Sequence, residues 1–343
     1  MNNILHKKFK LNGRSVASKE DLLDYTQKEA TEIFPFLSDW FDASDFVTAK
    51  TSGSTGKPKE IRLKKEYMIN SARATGTYFD LPEDTTALLC MPVKFIAGKM
   101  MLVRALVLGW QLDVVETSSD PLKDIDKTYD FSAMVSLQLY NSLNKVSLIK
   151  KLIVGGGVVS KELTDRIQDV PAKIFATYGM TETITHIAVK ALNTDKRSEF
   201  YTVLPEVRIG TDERGCLVID APEISDERLI TNDLVEIISE DHFRWLGRYD
   251  HIINSGGIKI IPEETERKLS PYIASRFFIS SVPDPKFGER IILIHEGKPK
   301  QVLPEIFKKV LNRYEIPKEI FFIEKFSETP TGKIDRNKTK AGI

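Results

Sequence analysis

The first half of the chain alternates short apolar runs with segments of helical periodicity. Residues 86–92 form an apolar run that stops at a proline, 97–108 have the spacing of a helix closed by Gly109, and 111–116 form the next apolar run. A further helix is predicted over 65–78. Strands and helices that alternate in this way are typical of an α/β domain with a largely parallel sheet.

The pattern differs on either side of this region. Near the start, Ser18 and the acidic residues after it predict a helix N-terminus, and apolar residues as far as Phe34 continue the helical spacing. Beyond residue 200, short apolar runs with turns between them predict antiparallel strands. These runs lie at 206–209, 215–219 and 234–238. Residues 263–343 alternate helix and strand and predict a small α+β unit.

Composition narrows the class of protein. A chain of 343 residues allows two or three domains, and its 49 basic and 49 acidic residues cancel, which argues against a nucleic-acid footprint. Cys90 and Cys216 lack metal-ligand spacing, so a reducing, cytoplasmic setting is expected. The first residues carry no signal-peptide core, and no run has the length of a membrane span. Arg104 interrupts the most apolar region, 102–108.

One nine-residue stretch concentrates groups that bind anions. Glycines there allow close approach of the backbone, and N–H groups, hydroxyls and lysines can surround a phosphate. The stretch lies between predicted strands at 46–49 and 60–63, and a lysine-capped hairpin turn is the alternative interpretation. It does not have Walker spacing, because Pro58 stands where that motif needs Ser or Thr. Its residues are Thr51, Ser52, Gly53, Ser54, Thr55, Gly56, Lys57, Pro58 and Lys59.

This stretch resembles the signature loop of the adenylate-forming superfamily, which includes acyl-CoA ligases, peptide-synthetase adenylation domains and luciferases. The match covers every position of the superfamily pattern Thr-Ser-Gly-Ser/Thr-Thr-Gly-x-Pro-Lys. Further motifs of the superfamily follow in order. They are Tyr178-Gly179-Met180-Thr181-Glu182, Thr231-Asn232-Asp233, Gly247-Arg248-Tyr249-Asp250, Gly256-Gly257-Ile258-Lys259 and Pro330-Thr331-Gly332-Lys333.

The resemblance implies a role for each motif. Tyr178 and Gly179, with the glycines Gly155, Gly156 and Gly157, would lie against the adenine, although a tight strand-to-helix turn also explains the glycine run. Thr181 would meet the α-phosphate and Glu182 would hold Mg²⁺, a hard cation that takes carboxylate and phosphate oxygens. A helix cap is the alternative for these two residues. Asp233 would grip the ribose, Arg248 would reach the ribose or phosphate, and Lys333 would be the mobile catalytic lysine.

The resemblance also predicts the domain plan. It implies a large N-terminal α/β adenylate-forming domain, residues 1–248, and a small mobile C-terminal α+β domain, residues 249–343, with Asp250 as the hinge. Gly256, Gly257 and Lys259 would form a loop beside the coenzyme A arm. Two departures stand out: only fifty residues precede the phosphate loop, so the large domain is expected to be truncated at its N-terminus, and Asn232 replaces the usual glycine.

The implied activity is an AMP-forming acid–thiol ligase that uses ATP, Mg²⁺ and coenzyme A. The short N-terminal region and residues 91–99 resemble the o-succinylbenzoate–CoA ligases of menaquinone biosynthesis. That acid has two carboxylates, so Lys94, Lys99 or Arg104 could anchor the second one, with His186 in the acyl pocket; solvated surface charge is the alternative for the three basic residues. Another aryl- or acyl-CoA ligase, a non-catalytic adenylate-binding protein of the same fold, and a homodimer stay open.

Overall fold

The computed structural model describes residues 5–50, 60–298, 304–329 and 333–343. The chain forms two compact units. The first comprises 1–159, 166–208 and 220–229, and the second comprises 160–165, 209–219 and 230–343. The boundary predicted between residues 248 and 249 stays a prediction.

The first unit is built from strands β1 to β11 and helices α1 to α5. Its strands are β1 (Lys10–Leu11), β2 (Arg14–Ser15), β3 (Phe46–Lys50), β4 (Glu60–Lys64), β5 (Thr86–Leu89), β6 (Gln111–Val114), β7 (Tyr129–Val135), β8 (Ile149–Gly155), β9 (Lys173–Gly179), β10 (His186–Ala191) and β11 (Tyr201–Val203). Its helices are α1 (Lys19–Glu29), α2 (Phe34–Phe41), α3 (Lys65–Tyr78), α4 (Ile96–Leu108) and α5 (Ser136–Asn141).

The sheet of the first unit has the strand order β11-β10-β9-β8-β7-β5-β6-β1-β2. The pairs from β9 through β8, β7, β5 and β6 to β1 are parallel, and the pairs at the two edges are antiparallel. The predicted α/β domain with a largely parallel sheet is therefore confirmed. Because β8 and β9 are parallel neighbours, their carboxyl ends meet at one edge of the sheet.

Local signals account for where several helices begin and end. The Ser18 hydroxyl accepts the Asp21 N–H at 3.2 Å, which caps α1. Gly109 ends α4 in the left-handed conformation, with φ 72°. The apolar pattern that continues to Phe34 does not form one helix. The chain leaves α1 at Glu29, and α2 starts anew at Phe34, so the prediction of a single helix there is wrong.

The second unit contains strands β12 to β20 and helices α6 to α9. Its strands are β12 (Arg208–Thr211), β13 (Cys216–Asp220), β14 (Leu229–Ser239), β15 (His242–Arg248), β16 (Ile253–Ser255), β17 (Ile258–Ile260), β18 (Phe277–Asp284), β19 (Gly288–Glu296) and β20 (Glu319–Ile323). Its helices are α6 (Lys161–Arg166), α7 (Pro262–Leu269), α8 (Pro304–Val310) and α9 (Arg336–Lys340).

These strands form an antiparallel run β12-β13-β14-β15 and a five-stranded sheet β17-β16-β19-β18, with β20 beside β19. Alternate residues of β18 and β19 fill two cores. Ile279 and Leu293 pack with the apolar side of α7 and α8, while Phe278 and Ile292 pack with Phe326 on the other face. This arrangement matches the predicted α+β unit.

Two findings bear on the class of protein. Cys90 and Cys216 are both free and buried, and burial raises the pKa of the Cys90 thiol to about 12. Across the described residues, no helix is long and apolar enough to cross a membrane.

Candidate active site

The glycine run and the Tyr-Gly-x-Thr-Glu motif lie at the ends of adjacent parallel strands. β8 runs into Gly155 and β9 into Tyr178 and Gly179, with Val154 opposite Ala176 in the register. The Thr177 hydroxyl donates to the Val154 carbonyl at 3.2 Å and ties the two strand ends together. Two motifs separated in sequence are thus brought to the carboxyl edge of the sheet, where open α/β folds bind ligands.

Gly179 is required by close backbone approach at this edge. A Cβ on Gly179 would lie 2.6 Å from the Cα of His186 and well inside contact distance of the Thr185 carbonyl. Both of those atoms belong to the backbone and cannot rotate away. A Cβ on Gly157 would have no atom of the described residues within 4 Å.

We therefore expect Gly179→Ala to destabilise the protein while Gly157→Ala does not. Overpacking of a tight site costs about 1–3 kcal/mol, and the free energy of unfolding measured by urea titration should fall by that amount. Gly157→Ala is the matched control, since both are glycines of the same sheet edge. Equal stability of the two variants would contradict the tight contact at Gly179.

A strained turn fixes the Thr181–Glu182 segment. Residues Thr181–Thr183 form one 3-10 turn, and the Thr183 hydroxyl both accepts the Met180 N–H at 2.9 Å and donates to the Thr185 carbonyl at 2.6 Å. Ile184 then has φ 64° and ψ −55°, and the Thr185 N–H donates to the Thr183 carbonyl at 2.6 Å. This is a γ-turn of the rare hand, which costs about 1–3 kcal/mol and is found at functional sites.

Beneath this turn lies a buried guanidinium. Arg104 is 1% exposed in the middle of α4. Its Nε donates to the Thr75 hydroxyl at 3.3 Å and one terminal nitrogen donates to the Thr185 hydroxyl at 3.2 Å. No carboxylate of the described residues pairs with it, and burial lowers the pKa of Arg104 to about 9. A buried cation held by two neutral hydroxyls is costly, so the position favours an anionic ligand.

His186 is the neighbour of this cation. It is 5% exposed, and its Nδ1 lies 3.4 Å from the Thr185 hydroxyl. Burial, with the Arg104 charge adding to it, lowers the pKa of His186 well below its ordinary value, which favours the neutral ring. Its Nε2 is buried without a hydrogen-bond partner in the described part of the chain. The His186 Nε2 is thus a second buried polar group close to Arg104 whose hydrogen bond is not made by the described residues, and a ligand could make it.

The three basic candidates of the sequence differ in environment. Lys94 is exposed, as the surface-charge alternative supposes. That alternative is wrong for Lys99 and Arg104. The Lys99 ammonium is buried over the Phe36 ring, 4.5 Å from its centroid, and burial lowers the pKa of this lysine. Lys99 thus faces α2, and Arg104 is the candidate that reaches the strand end.

The second unit brings together residues predicted from three other motifs. Asp233 lies opposite Arg248 in the β14–β15 register, and one guanidinium nitrogen of Arg248 is 3.7 Å from the Asp233 carboxylate. The Trp245 indole N–H donates to that carboxylate at 3.1 Å. Asp233 is buried and its orientation is fixed by these partners, as a ribose-binding carboxylate requires.

The predicted hinge residue is bound to the preceding arginine. Nε of Arg248 donates to Asp250 at 2.9 Å and a terminal nitrogen donates at 3.1 Å, a bidentate pair. Burial raises the pKa of Asp250, but the Arg248 bonds outweigh it and hold this pKa below its usual value. Arg248 therefore links the residue predicted to bind ribose with the residue predicted to act as hinge.

The charges of Asp233 and Arg248 also act on the Lys333 ammonium. Burial lowers the pKa of Lys333; the Asp233 charge opposes this shift and the Arg248 charge adds to it. Its backbone is fixed, because its N–H donates to the Thr329 hydroxyl at 3.1 Å and its carbonyl accepts the Thr329 N–H at 2.7 Å. The lysine from the last motif is thus coupled to the aspartate and arginine of two earlier ones.

The predicted coenzyme A loop is an exposed turn between β16 and β17. Gly256 and Gly257 have φ 59° and 80°, the left-handed region that favours glycine. The Gly256 N–H donates to the Phe287 carbonyl at 2.8 Å, and Lys259 is exposed on β17. The predicted phosphate loop, 51–59, lies outside the described residues; the strands that flank it, β3 and β4, form an antiparallel pair.

The acidic residues fit a magnesium ion held mainly by substrate. Among the described residues, no group of three His, Cys, Asp or Glu side chains could hold a metal ion. Glu182 is exposed at the sheet edge and offers one carboxylate. Mg²⁺ is often bound by one or two carboxylates with phosphate oxygens and water, so this donor set fits.

Comparison with known proteins agrees with this geometry. Residues 14–218 match the family described as AMP-binding enzyme, which is more than half of the 343-residue chain. The chain belongs to this family. Family membership confirms the resemblance seen in the sequence motifs and establishes the protein as an enzyme of the AMP-binding group.

Relatives within the AMP-binding family extend over most of the chain. A crystal structure of an acyl-CoA synthetase (AMP-forming)/AMP-acid ligase II-like protein from Dyadobacter fermentans is 37% identical, with a TM-score of 0.61, over 91% of this chain and 93% of that one. A 2-succinylbenzoate–CoA ligase from Listeria monocytogenes is 26% identical over 84% of this chain and 68% of its own length. The o-succinylbenzoate coenzyme A synthetase from Bacillus subtilis, solved with ATP and magnesium, has a TM-score of 0.74 at 18% identity over 96% of this chain and 83% of that one, which establishes the adenylate-forming fold.

Several site features were missed in the sequence. Thr75 and Thr185 hold Arg104 from separate elements, and Trp245 holds Asp233 across two strands. Arg104 itself gave a signal, since a charge inside an apolar helix must be buried with partners. The threonines gave none, because their contacts with Arg104 depend on how α3, α4 and the turn before β10 pack.

Proposed function

We propose that the protein is an ATP-dependent carboxylate–CoA ligase that acts through an acyl-adenylate, with o-succinylbenzoate as its acid. The observation that carries the choice of acid is Arg104, a buried guanidinium held by hydroxyls below the Thr181–Glu182 turn. An acid with a second carboxylate supplies the anion that this guanidinium lacks. Relatives named 2-succinylbenzoate–CoA ligase support the same acid.

The reaction proposed has two steps. A carboxylate oxygen of the acid attacks the α-phosphorus of ATP, the bond to pyrophosphate breaks, and pyrophosphate leaves. The sulfur of coenzyme A then attacks the acyl carbon and AMP departs with the bonding pair, while the thiol proton passes to solvent. The protein contributes positioning and charge stabilisation in both steps.

Residues of this chain have separate tasks in the first step. Asp233 holds the ribose hydroxyls, and Lys333 offers its ammonium to the charge that develops between the acid and the α-phosphate. The Thr181 hydroxyl donates to the α-phosphate, and Arg104 orients the acid by its second carboxylate. Glu182 would hold Mg²⁺, which neutralises phosphate charge when bound.

The experiment is pyrophosphate release across a panel of acids, with and without coenzyme A. We expect o-succinylbenzoate to give a higher kcat/KM than benzoate, succinate or fatty acids. Replacing Arg104 by Met should lower kcat/KM for o-succinylbenzoate by about 10–100-fold, the loss of a hydrogen bond between charged groups. Arg73→Met, at an exposed arginine of α3, is the control.

Two outcomes would contradict the proposal in different ways. If a monocarboxylate gave the highest kcat/KM, a second carboxylate would not be required, and another acyl-CoA ligase would be the better assignment. If pyrophosphate is released but no thioester forms when coenzyme A is present, the ligase assignment itself is wrong. An unchanged preference in Arg104→Met would show that the anchor is a different residue.

A further inference from the structure

A network of partly buried charges joins helix α7 to the segment that carries Lys333. Arg336 follows Lys333 by three residues and opens α9. One terminal nitrogen of Arg336 donates to Glu266 at 2.8 Å, and the other is 3.7 Å from Glu263. Both glutamates lie on α7, so this arginine crosses from the end of the chain to a helix some seventy positions earlier.

The two carboxylates are held in turn by other groups. Glu266 accepts the Ile279 N–H at 2.8 Å with its second oxygen. Glu263 is 7% exposed and pairs with the His251 Nδ1 at 2.5 Å, and His251 is the residue directly after Asp250. Gly247 lacks the Cβ that would meet the second Glu263 oxygen. The two glutamates that bind Arg336 are therefore themselves held by Ile279 of β18 and by His251, next to Asp250.

The short segment between Lys333 and Arg336 leaves little freedom. The Asp335 N–H donates to the Ser327 carbonyl at 2.8 Å, Ile334 bridges to Glu328, and the Asp335 carboxylate caps α9 at the Lys338 N–H. The Arg336 guanidinium also packs over the Phe278 ring, 5.3 Å from its centroid. A shift of Arg336 is thus transmitted to Lys333 through only two intervening residues.

We propose that Arg336, held by Glu263 and Glu266, is a positioning residue for Lys333. Stability alone does not explain these ion pairs, because ion pairs removed from water are often no more stabilising than apolar residues of similar volume. The ion pairs fix instead the place of an ammonium whose neighbours are Asp233 and Arg248. The inference rests on the proposed function, because it assigns Lys333 its task in adenylate formation.

The test compares variants that break the network with one that breaks a different ion pair of the same helix. Arg336→Met removes the charge and keeps an apolar stem, Arg336→Lys keeps a charge, and Glu263→Gln removes one support. Lys268→Met is the control, because Lys268 of α7 pairs with Glu315 at 2.7 Å, away from the Lys333 segment. Each is assayed for single-turnover pyrophosphate release with ATP and o-succinylbenzoate.

We expect Arg336→Met to slow adenylate formation by about 10–100-fold, as a misplaced catalytic group does, with the KM for ATP nearly unchanged. Arg336→Lys should recover part of the rate, and Lys268→Met should keep all of it. In a Lys333→Ala background, Arg336→Met should cause no further loss, because a residue that acts through Lys333 has nothing left to position. An equal loss in both backgrounds would overturn the proposal.

A second readout does not depend on turnover. Reductive methylation of Lys333 in the ligand-free protein, followed by mass spectrometry, reports how accessible and how basic its amine is. The rate should rise in Arg336→Met and Glu263→Gln and stay at the wild-type value in Lys268→Met. If no acid is turned over, the proposed function fails while this readout still tests the positioning. If Arg336→Met does not fold, Glu263→Gln and Arg336→Lys carry the comparison, and unchanged methylation in both overturns the proposal.

Discussion

Lys333→Ala should lose about 10²–10³ of the rate of adenylate formation, the usual effect of removing one preorganised charge partner from a transition state. The half-buried lysine is coupled to Asp233 and Arg248, which sit where the ribose and phosphate are expected to bind. We expect its ammonium to stabilise charge that develops only during attack, so ATP binding should change little. Pyrophosphate release in a single turnover measures the effect.

The matched control is Lys338→Ala. Lys338 lies on α9, only five positions later, but its side chain is 75% exposed. It should keep the wild-type rate, and both variants should unfold at the wild-type temperature. Near wild-type pyrophosphate release by Lys333→Ala would remove this residue from the chemistry of adenylate formation.

Asp250→Pro should separate the two half-reactions. Proline fixes φ near −65°, removes an N–H and restricts Tyr249 before it, so a hinge at this position should be trapped in one orientation. We expect the variant to form the acyl-adenylate but to transfer it to coenzyme A at least about 10²-fold more slowly, since the predicted lobe rotation would gate the second step. Single-turnover assays follow pyrophosphate release and then thioester formation from preformed adenylate.

The Arg248–Asp250 pair makes a second variant necessary. Proline removes the carboxylate that accepts two bonds from Arg248, and this alone could disturb nucleotide binding. Asp250→Ala breaks the same bonds and leaves the backbone free. The excess of the proline effect over the alanine effect measures the backbone restriction. Equal slowing of both steps in both variants would count against a hinge at Asp250.

Elements with local signals were predictable from the sequence. The helix predicted over 65–78 is α3 with the same limits, and the helix predicted to end at Gly109 is α4. Caps and left-handed glycines act within one turn of chain, so a single sequence reports them. The break between α1 and α2 was not predictable from spacing, because the apolar residues on both sides continue one helical pattern.

The site was predictable in its motifs and not in its contacts. The strand ends that carry Gly155 and Tyr178 follow from the order of strands and turns. The γ-turn at Ile184 does not, since β-branched residues avoid positive φ and the conformation persists only because packing imposes it. The Arg336–Glu266 pair joins residues 70 apart in sequence, a distance over which no periodicity carries information.

The buried guanidinium of Arg104 has a thermodynamic consequence. Burial lowers the pKa of Arg104 to about 9, so its charge destabilises the folded state at every pH below that value, and this cost begins to fall only as the pH rises from about 9 toward the ordinary pKa of arginine. Under the proposed function, the second carboxylate of the acid would supply the counter-charge for this guanidinium and would offset that cost. A variant without this charge should therefore have a higher free energy of unfolding in the absence of ligand. It should lose the additional stabilisation that the bound acid would give to the wild-type protein.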